Sequence, residues 1–173
     1  MKRTVWLWQL LGFAITSLSG TLLHFVYEWT NSLWVAPFSG VNESTWEHMK
    51  LLFWPMLIFA ISESFFFKDY THFWCVKLRG MLLGLGSIPA IFYMYNGIIG
   101  KSPDWVNISI FFISAAISYI YETKHLNNEN TSCNSPRVAL ILLLFIALCF
   151  VVFTFTTPGI ELFRDPLTNT YGI

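Results

Sequence analysis

Charge is scarce in this chain. Asp, Glu, Lys and Arg make up 12% of its 173 residues, where a soluble domain carries about 25%. Hydrophobic residues make up 55% and aromatic residues 18%, so too few polar groups remain to cover a globular surface. A lipid bilayer is the solvent such a composition implies. Lys and Arg do not outnumber Asp and Glu, and the formal net charge is zero. That excludes the basic footprint of a nucleic-acid binder. Cysteine is rare, with Cys75, Cys133 and Cys149 far apart. An odd count without close spacing predicts neither a disulfide framework nor a zinc knuckle. Polar linkers are short, the longest being NNENTSCNSP, and neither an internal repeat nor a second domain is visible.

What the chain does have is long apolar runs. A helix needs about 20 residues to cross roughly 30 Å of hydrocarbon. Five segments of residues 1–173 meet this: 5–28, 46–67, 76–99, 105–121 and 138–157. None shows the alternation of a barrel strand. The first run is too long for a signal-peptide core and lacks a cleavage site after it, so it reads as retained. The predicted fold is therefore all-α, one polytopic bundle of five transmembrane helices. The last sixteen residues, PGIELFRDPLTNTYGI, cannot span. Their Ile160, Leu162, Phe163 and Tyr171 predict a C-terminal tail docked across one end of the bundle.

Lys and Arg set the expected orientation. A cytoplasmic N-terminus puts Lys2, Arg3, Lys68, Lys77, Arg79, Lys124 and Arg137 inside, and Lys50, Lys101 and Arg164 outside. Tryptophans lie near both boundaries, as interface-seeking rings do. The expected location is the inner (plasma) membrane, with the C-terminus extracytoplasmic. In the third helix Gly80 and Gly84 have the spacing that lets helices approach closely.

The chemistry gathers at the outer face. His24 and Glu28 share one face of the first helix. VNESTWEHMK puts Glu43, Glu47, His48 and Lys50 around the start of the second. His24, Glu28, Glu43 and His48 are the candidate ligands for a divalent metal such as zinc, because imidazole and carboxylate suit that ion. Glu47 and His48 are the candidate acid–base residues. Asn42, Tyr93, Asn96, Asn107 and Asp165 are candidate binding residues at the same depth. Ordinary structure accounts for part of this. Ser44-Thr45-Trp46-Glu47 has the form of a capping box, and Lys50 can pair with Glu47. His24 is harder to explain that way, because an ionisable group a turn inside the boundary is costly. Glu63 lies about 24 Å further along the second helix. Its bland reading is the inner interface near Lys68. Its sharper reading is the end of a proton or ion path from Glu47.

LLHFVYEW, VNESTWEHMKLLFWPML, YMYNGIIG and LFRDPLTNTYGI together resemble an uncharacterised bacterial family of small multi-span membrane proteins, a domain of unknown function. The resemblance covers most of the chain. NES-x-WEH-x-K and F-x-DP-x-T-x-x-YGI are its specific stretches. YMYNG departs from the family's usual YTYTG at Asn96. The resemblance implies an integral membrane protein of bacterial type and assigns no catalytic role.

Three functions compete. One is a membrane-embedded metal-dependent hydrolase acting on a lipid or lipid-linked group, although H-E-x-x-H is absent. Another is a transporter or substrate-capture subunit for a small molecule or lipid. Against it, the polar groups are expected to stop at the outer end. The last is a non-catalytic assembly or sensing protein. Nothing in the residues names its protein partner.

Overall fold

A computed structural model describes residues 2–128 and 130–173, with the side chains of Lys2 and Arg3 left aside. Five helices account for most of it: α1 Lys2–Thr30, α2 Thr45–Ser64, α3 Phe73–Ile98, α4 Asp104–Leu126 and α5 Pro136–Phe155. No strand is present among the described residues, and only Arg164 and Tyr171 make an isolated bridge. A short 3-10 turn at Glu161–Phe163 opens the tail.

The first four helices run up and down in a ring. α1 packs on α2 and α4, and α3 packs on α2 and α4. α5 lies outside the ring against α3 and α2. α2 touches every other helix and the 3-10 turn. Twelve of its twenty residues are buried, all round its axis. Leu52, Phe53, Met56 and Ala60 put its apolar side chains at the centre of the core. α5 is the opposite case. Its buried residues, Ala139, Leu143, Ala147, Phe150 and Thr154, follow one stripe at helical spacing. Its other faces present Ile141, Leu144, Phe145 and Leu148 outward.

α1, α3, α4 and α5 are each long and apolar enough to cross a membrane. α2 does not join them, because it spends positions on Glu47, Lys50 and Glu63, all three buried. Its polarity is turned inward, toward the other helices. α4 also runs five residues beyond its expected end at Tyr121, since Glu122 is an interior residue and not a boundary charge.

The cysteine expectation needs correction. Cys75 and Cys133 form a disulfide with a Cα–Cα distance of 5.7 Å. They are 58 residues apart in sequence. Only the folding back of the α4–α5 loop onto the start of α3 brings them together, which spacing cannot reveal.

Gly80 and Gly84 do sit at the α3–α4 contact. A Cβ on Gly80 would lie 2.6 Å from Glu122 Cγ, and one on Gly84 would lie 3.2 Å from the Ser114 carbonyl. Gly86 faces open space. Gly80→Ala is therefore expected to destabilise by about 1–3 kcal/mol through overpacking. Gly86→Ala should be neutral or slightly stabilising, because alanine is the better helix former. Paired thermal melts of the two purified variants check this. Equal melting temperatures would show that the α3–α4 seam has slack.

Candidate metal centre

The loop between α1 and α2 is tied down at each step. Ser39 accepts a hydrogen bond from the Tyr27 amide at 2.9 Å and donates to the Leu23 carbonyl. Those two backbone groups would otherwise bond each other along α1. The hydroxyl thus enters the helix ladder at the turn that carries His24. Lys50 Nζ donates to the Ala36 carbonyl at 2.7 Å, and Trp54 Nε1 to the Pro37 carbonyl at 2.8 Å. The Val41 amide donates to Glu47 Oε2 at 3.0 Å. With the loop fixed, Glu43 hangs over the gap between α1 and α2.

There it bridges two histidines. Glu43 Oε1 lies 3.3 Å from His24 Nε2, and Oε2 lies 3.6 Å from His48 Nε2. The imidazole centroids are 5.7 Å apart. One ligand atom from each residue fits within a 4.8 Å group. Atoms held tetrahedrally at zinc bond lengths are about 3.4 Å from one another, so modest side-chain rotation closes the set. His48 Nδ1 lies 3.0 Å from the Ser44 carbonyl. A proton on that nitrogen leaves Nε2 as a lone-pair donor turned to Glu43, the usual outer-sphere support of a metal-ligating histidine. The hydrogen bond from His24 holds the Glu43 carboxyl below its ordinary range, against the opposing effect of burial. Glu43 is thereby kept in the ionised form that binds cations.

Two expected members are elsewhere. Glu28 is exposed and stands outside the group. Sharing a face with His24 does not bring its carboxylate into the group, since it stands one helical turn further along α1. Glu47 is 3% exposed and belongs to a different unit. Its carboxylate pairs with Lys50 Nζ at 2.5 Å and takes the Val41 amide. Half of the capping box is present, with the Glu47 amide donating to Ser44 Oγ at 3.4 Å. The other half is replaced, because the Ser44 amide donates to Asn42 Oδ1 at 2.9 Å. A carboxylate occupied in this way is not a free general base, so the acid–base role expected of Glu47 is not supported.

Beside the three residues opens a cavity of about 460 Å³. His24, Glu43 and His48 form one wall, and Asn96, Lys101 and Asn107 line it from the α3–α4 end. Phe25, Phe92, Ile108 and Phe112 make the rest of it apolar. Ser102 Oγ donates to Asn107 Oδ1 at 2.8 Å, and the Ser102 amide to Asn96 Oδ1 at 2.8 Å. Asn96 and Asn107 thus shape the rim as well as line it. Tyr93 is exposed and does not line the cavity.

The tail reaches the same rim. Phe163 is buried against Trp46, at 4.5 Å between rings, and against Phe153. Asp165 is buried and accepts from the Leu167 amide at 2.7 Å, so it shapes a turn. That turn places Pro166 and Leu167 at the cavity edge. Asn42 Nδ2 donates to the Gly172 carbonyl at 3.0 Å, which fastens the last residues to the α1–α2 loop. Asn42→Ala should cost about 1 kcal/mol. Its expected signature is faster proteolysis of the tail in limited digestion, and unchanged cleavage would mean the bond holds nothing in place.

Sequence reasoning missed a second buried polar group, Gln9, Glu63, Lys77 and Glu122. Lys77 read as an inner-side charge at the start of the 76–99 segment, and Glu122 as a polar residue just past the end of the 105–121 segment. Nor do polar groups stop at the outer end, since Thr16, Ser17, Ser114 and Ser118 are buried between the two regions. The signal was present as Ser114, Ser118 and Glu122, spaced four apart on one face of α4.

The architecture is that of an all-helical protein with four helices apolar enough to span a membrane and a His–Glu–His group able to hold metal. The chain belongs to the family of unknown function DUF6512, which matches it over residues 2–173. Neither a curated protein nor a solved structure matches it.

Proposed function

We propose that the protein is a multi-pass membrane protein that binds one divalent cation, zinc by its ligand set, through His24, Glu43 and His48. The observation that supports it is the convergence of three ligand atoms within 4.8 Å beside a cavity. Two imidazoles and one carboxylate leave a zinc ion a position for water, whose pKa it lowers, as in zinc hydrolases. The cavity suits an amphiphile. Its aromatic and aliphatic wall takes an acyl or isoprenoid chain, and Lys101 with the metal attracts an anionic headgroup. The reading favoured is hydrolysis of a lipid or lipid-linked group, with the docked tail closing the cavity edge.

The N-terminus is taken as cytoplasmic. Setting aside Lys77 and Lys50, which are buried in ion pairs, leaves six basic residues at that end and two at the other. The Cys75–Cys133 bond lies at the basic end, and a cytosol keeps thiols reduced. The charges are taken as the guide to orientation, and the two cysteines are then expected as thiols in the cell; a Cys75–Cys133 disulfide found in cells would argue for the opposite orientation. The metal site then faces the extracytoplasmic side of the plasma membrane.

Elemental analysis of protein purified without chelator tests the centre, with about one zinc per chain expected. Incubation with phospholipid vesicles then separates the functions. Released headgroup or acyl chain supports hydrolysis. Retention of lipid without turnover supports substrate capture, and absence of both metal and lipid removes the proposal.

A further inference from the structure

The second polar group has one member on each helix of the ring: Gln9 on α1, Glu63 on α2, Lys77 on α3 and Glu122 on α4. All four are at most 2% exposed. Lys77 Nζ contacts both carboxylates, lying 2.6 Å from Glu122 Oε2 and in direct contact with Glu63 Oε2. Gln9 donates to Glu63 Oε1, and its own Oε1 lies 3.4 Å from Lys77 Nζ. Glu122 Oε1 is buried with no partner among the described residues. Tyr119 is the remaining titratable group against the cluster, with its ring 5.8 Å from Lys77 Nζ. Phe73 covers the ammonium from the other side at 5.5 Å.

The charges do not balance. Two carboxylates on one ammonium leave an extra negative charge where no water reaches, at a cost of several kcal/mol. Two carboxyls on one cation in so buried a place disfavour each other's ionisation. An ionised oxygen without a donor costs more than a neutral one, which assigns the added proton to Glu122.

Access to the cluster is one-sided. Val5, Phe67, Phe73 and Leu126 each stand four positions from a cluster residue, one helical turn nearer the N-terminal end. They pack with Val76 into a buried apolar layer. Toward the other end hydroxyls lie along the α1–α4 seam, among apolar core residues such as Phe111 and Ala115. Tyr119 OH and Thr16 Oγ1 are 2.7 Å apart. Ser118 donates to the Ser114 carbonyl, and Ser114 Oγ and Ser17 Oγ are buried without partners among the described residues. Gly20 and Thr21, next along α1, line the cavity beside His24.

We propose that Glu63, Lys77 and Glu122 form a proton-binding site, loaded from the His24 cavity through the hydroxyls of the α1–α4 seam. It stands apart from the metal centre and from any hydrolytic activity. Glu47, paired with Lys50, is not on this route.

Infrared spectroscopy of the full chain in lipid nanodiscs at neutral pH tests it. The expected result is one protonated-carboxyl band that shifts in heavy water. Both Glu122→Gln and Glu63→Gln should lose it, because either leaves a balanced one-to-one pair. Absence of the band in wild type, or its survival in both variants, would overturn the site. Loss of the band on adding sodium to sodium-free buffer would make it a metal-cation site instead. Tyr119→Phe and Ser114→Ala should slow the isotope shift, and a shift as fast as wild type in both would overturn the route.

Discussion

Lys50→Met is expected to destabilise the protein by about 3–5 kcal/mol, the range for removing one partner of a buried ion pair. Lys50 is fully buried and its Nζ has three partners. They are Glu47 on its own helix, the Ala36 carbonyl in the α1–α2 loop, and Thr154 Oγ1 on α5 at 3.2 Å. The substitution keeps most of the volume and removes the charge. It leaves the Glu47 carboxylate in a place that water does not reach, and it frees the Ala36 carbonyl. Chemical unfolding in a mild detergent measures the loss. Lys50→Met combined with Glu47→Gln should recover part of it, since no unpaired charge then remains. A cost below about 1 kcal/mol would match an exposed surface pair and contradict the burial.

His48→Ala is expected to weaken zinc binding at least about 100-fold. Losing an outer-sphere partner already costs roughly 10–100-fold, and His48 is proposed to contact the ion itself. His24→Ala and Glu43→Ala should do the same. Glu28→Gln should stay within a few-fold of wild type, because its carboxylate is exposed and outside the group. Competition with a chelating dye reports all four. An equal loss in Glu28→Gln would return that residue to the ligand set, and unchanged affinity in His48→Ala would dissolve the site.

Four of the five helices were legible as apolar runs of bilayer length; α2 was legible as a helix from its apolar stretch after Lys50, but its buried charges take it out of that class. The histidine pair was legible because His24 and His48 flank one loop, and a loop that turns the chain back puts both at one end. The role of Glu47 was not. S-x-x-E states that a carboxylate can reach the helix start, but not that a lysine three residues later competes for it. Glu28 failed for a related reason. Spacing along one helix fixes a face but not which neighbour that face meets. Gln9, Lys77 and Glu122 lie on three different helices, so their meeting depends on how the ring closes. The Cys75–Cys133 pair depends on the same closure.

The central position of α2 bears on how the chain is assembled. A helix threaded from the translocation machinery into lipid meets hydrocarbon before it meets its neighbours. Charged residues resist that step, by about 2.5–3.5 kcal/mol at a helix centre and by less near a helix end. Glu47 and Lys50 can neutralise each other as soon as α2 forms, being three residues apart. Glu63 cannot, because its cation is Lys77 on α3. If the chain inserts as proposed, Glu63 is expected to gain its partner only once the first turns of α3 have emerged, which couples α2 to α3 during assembly.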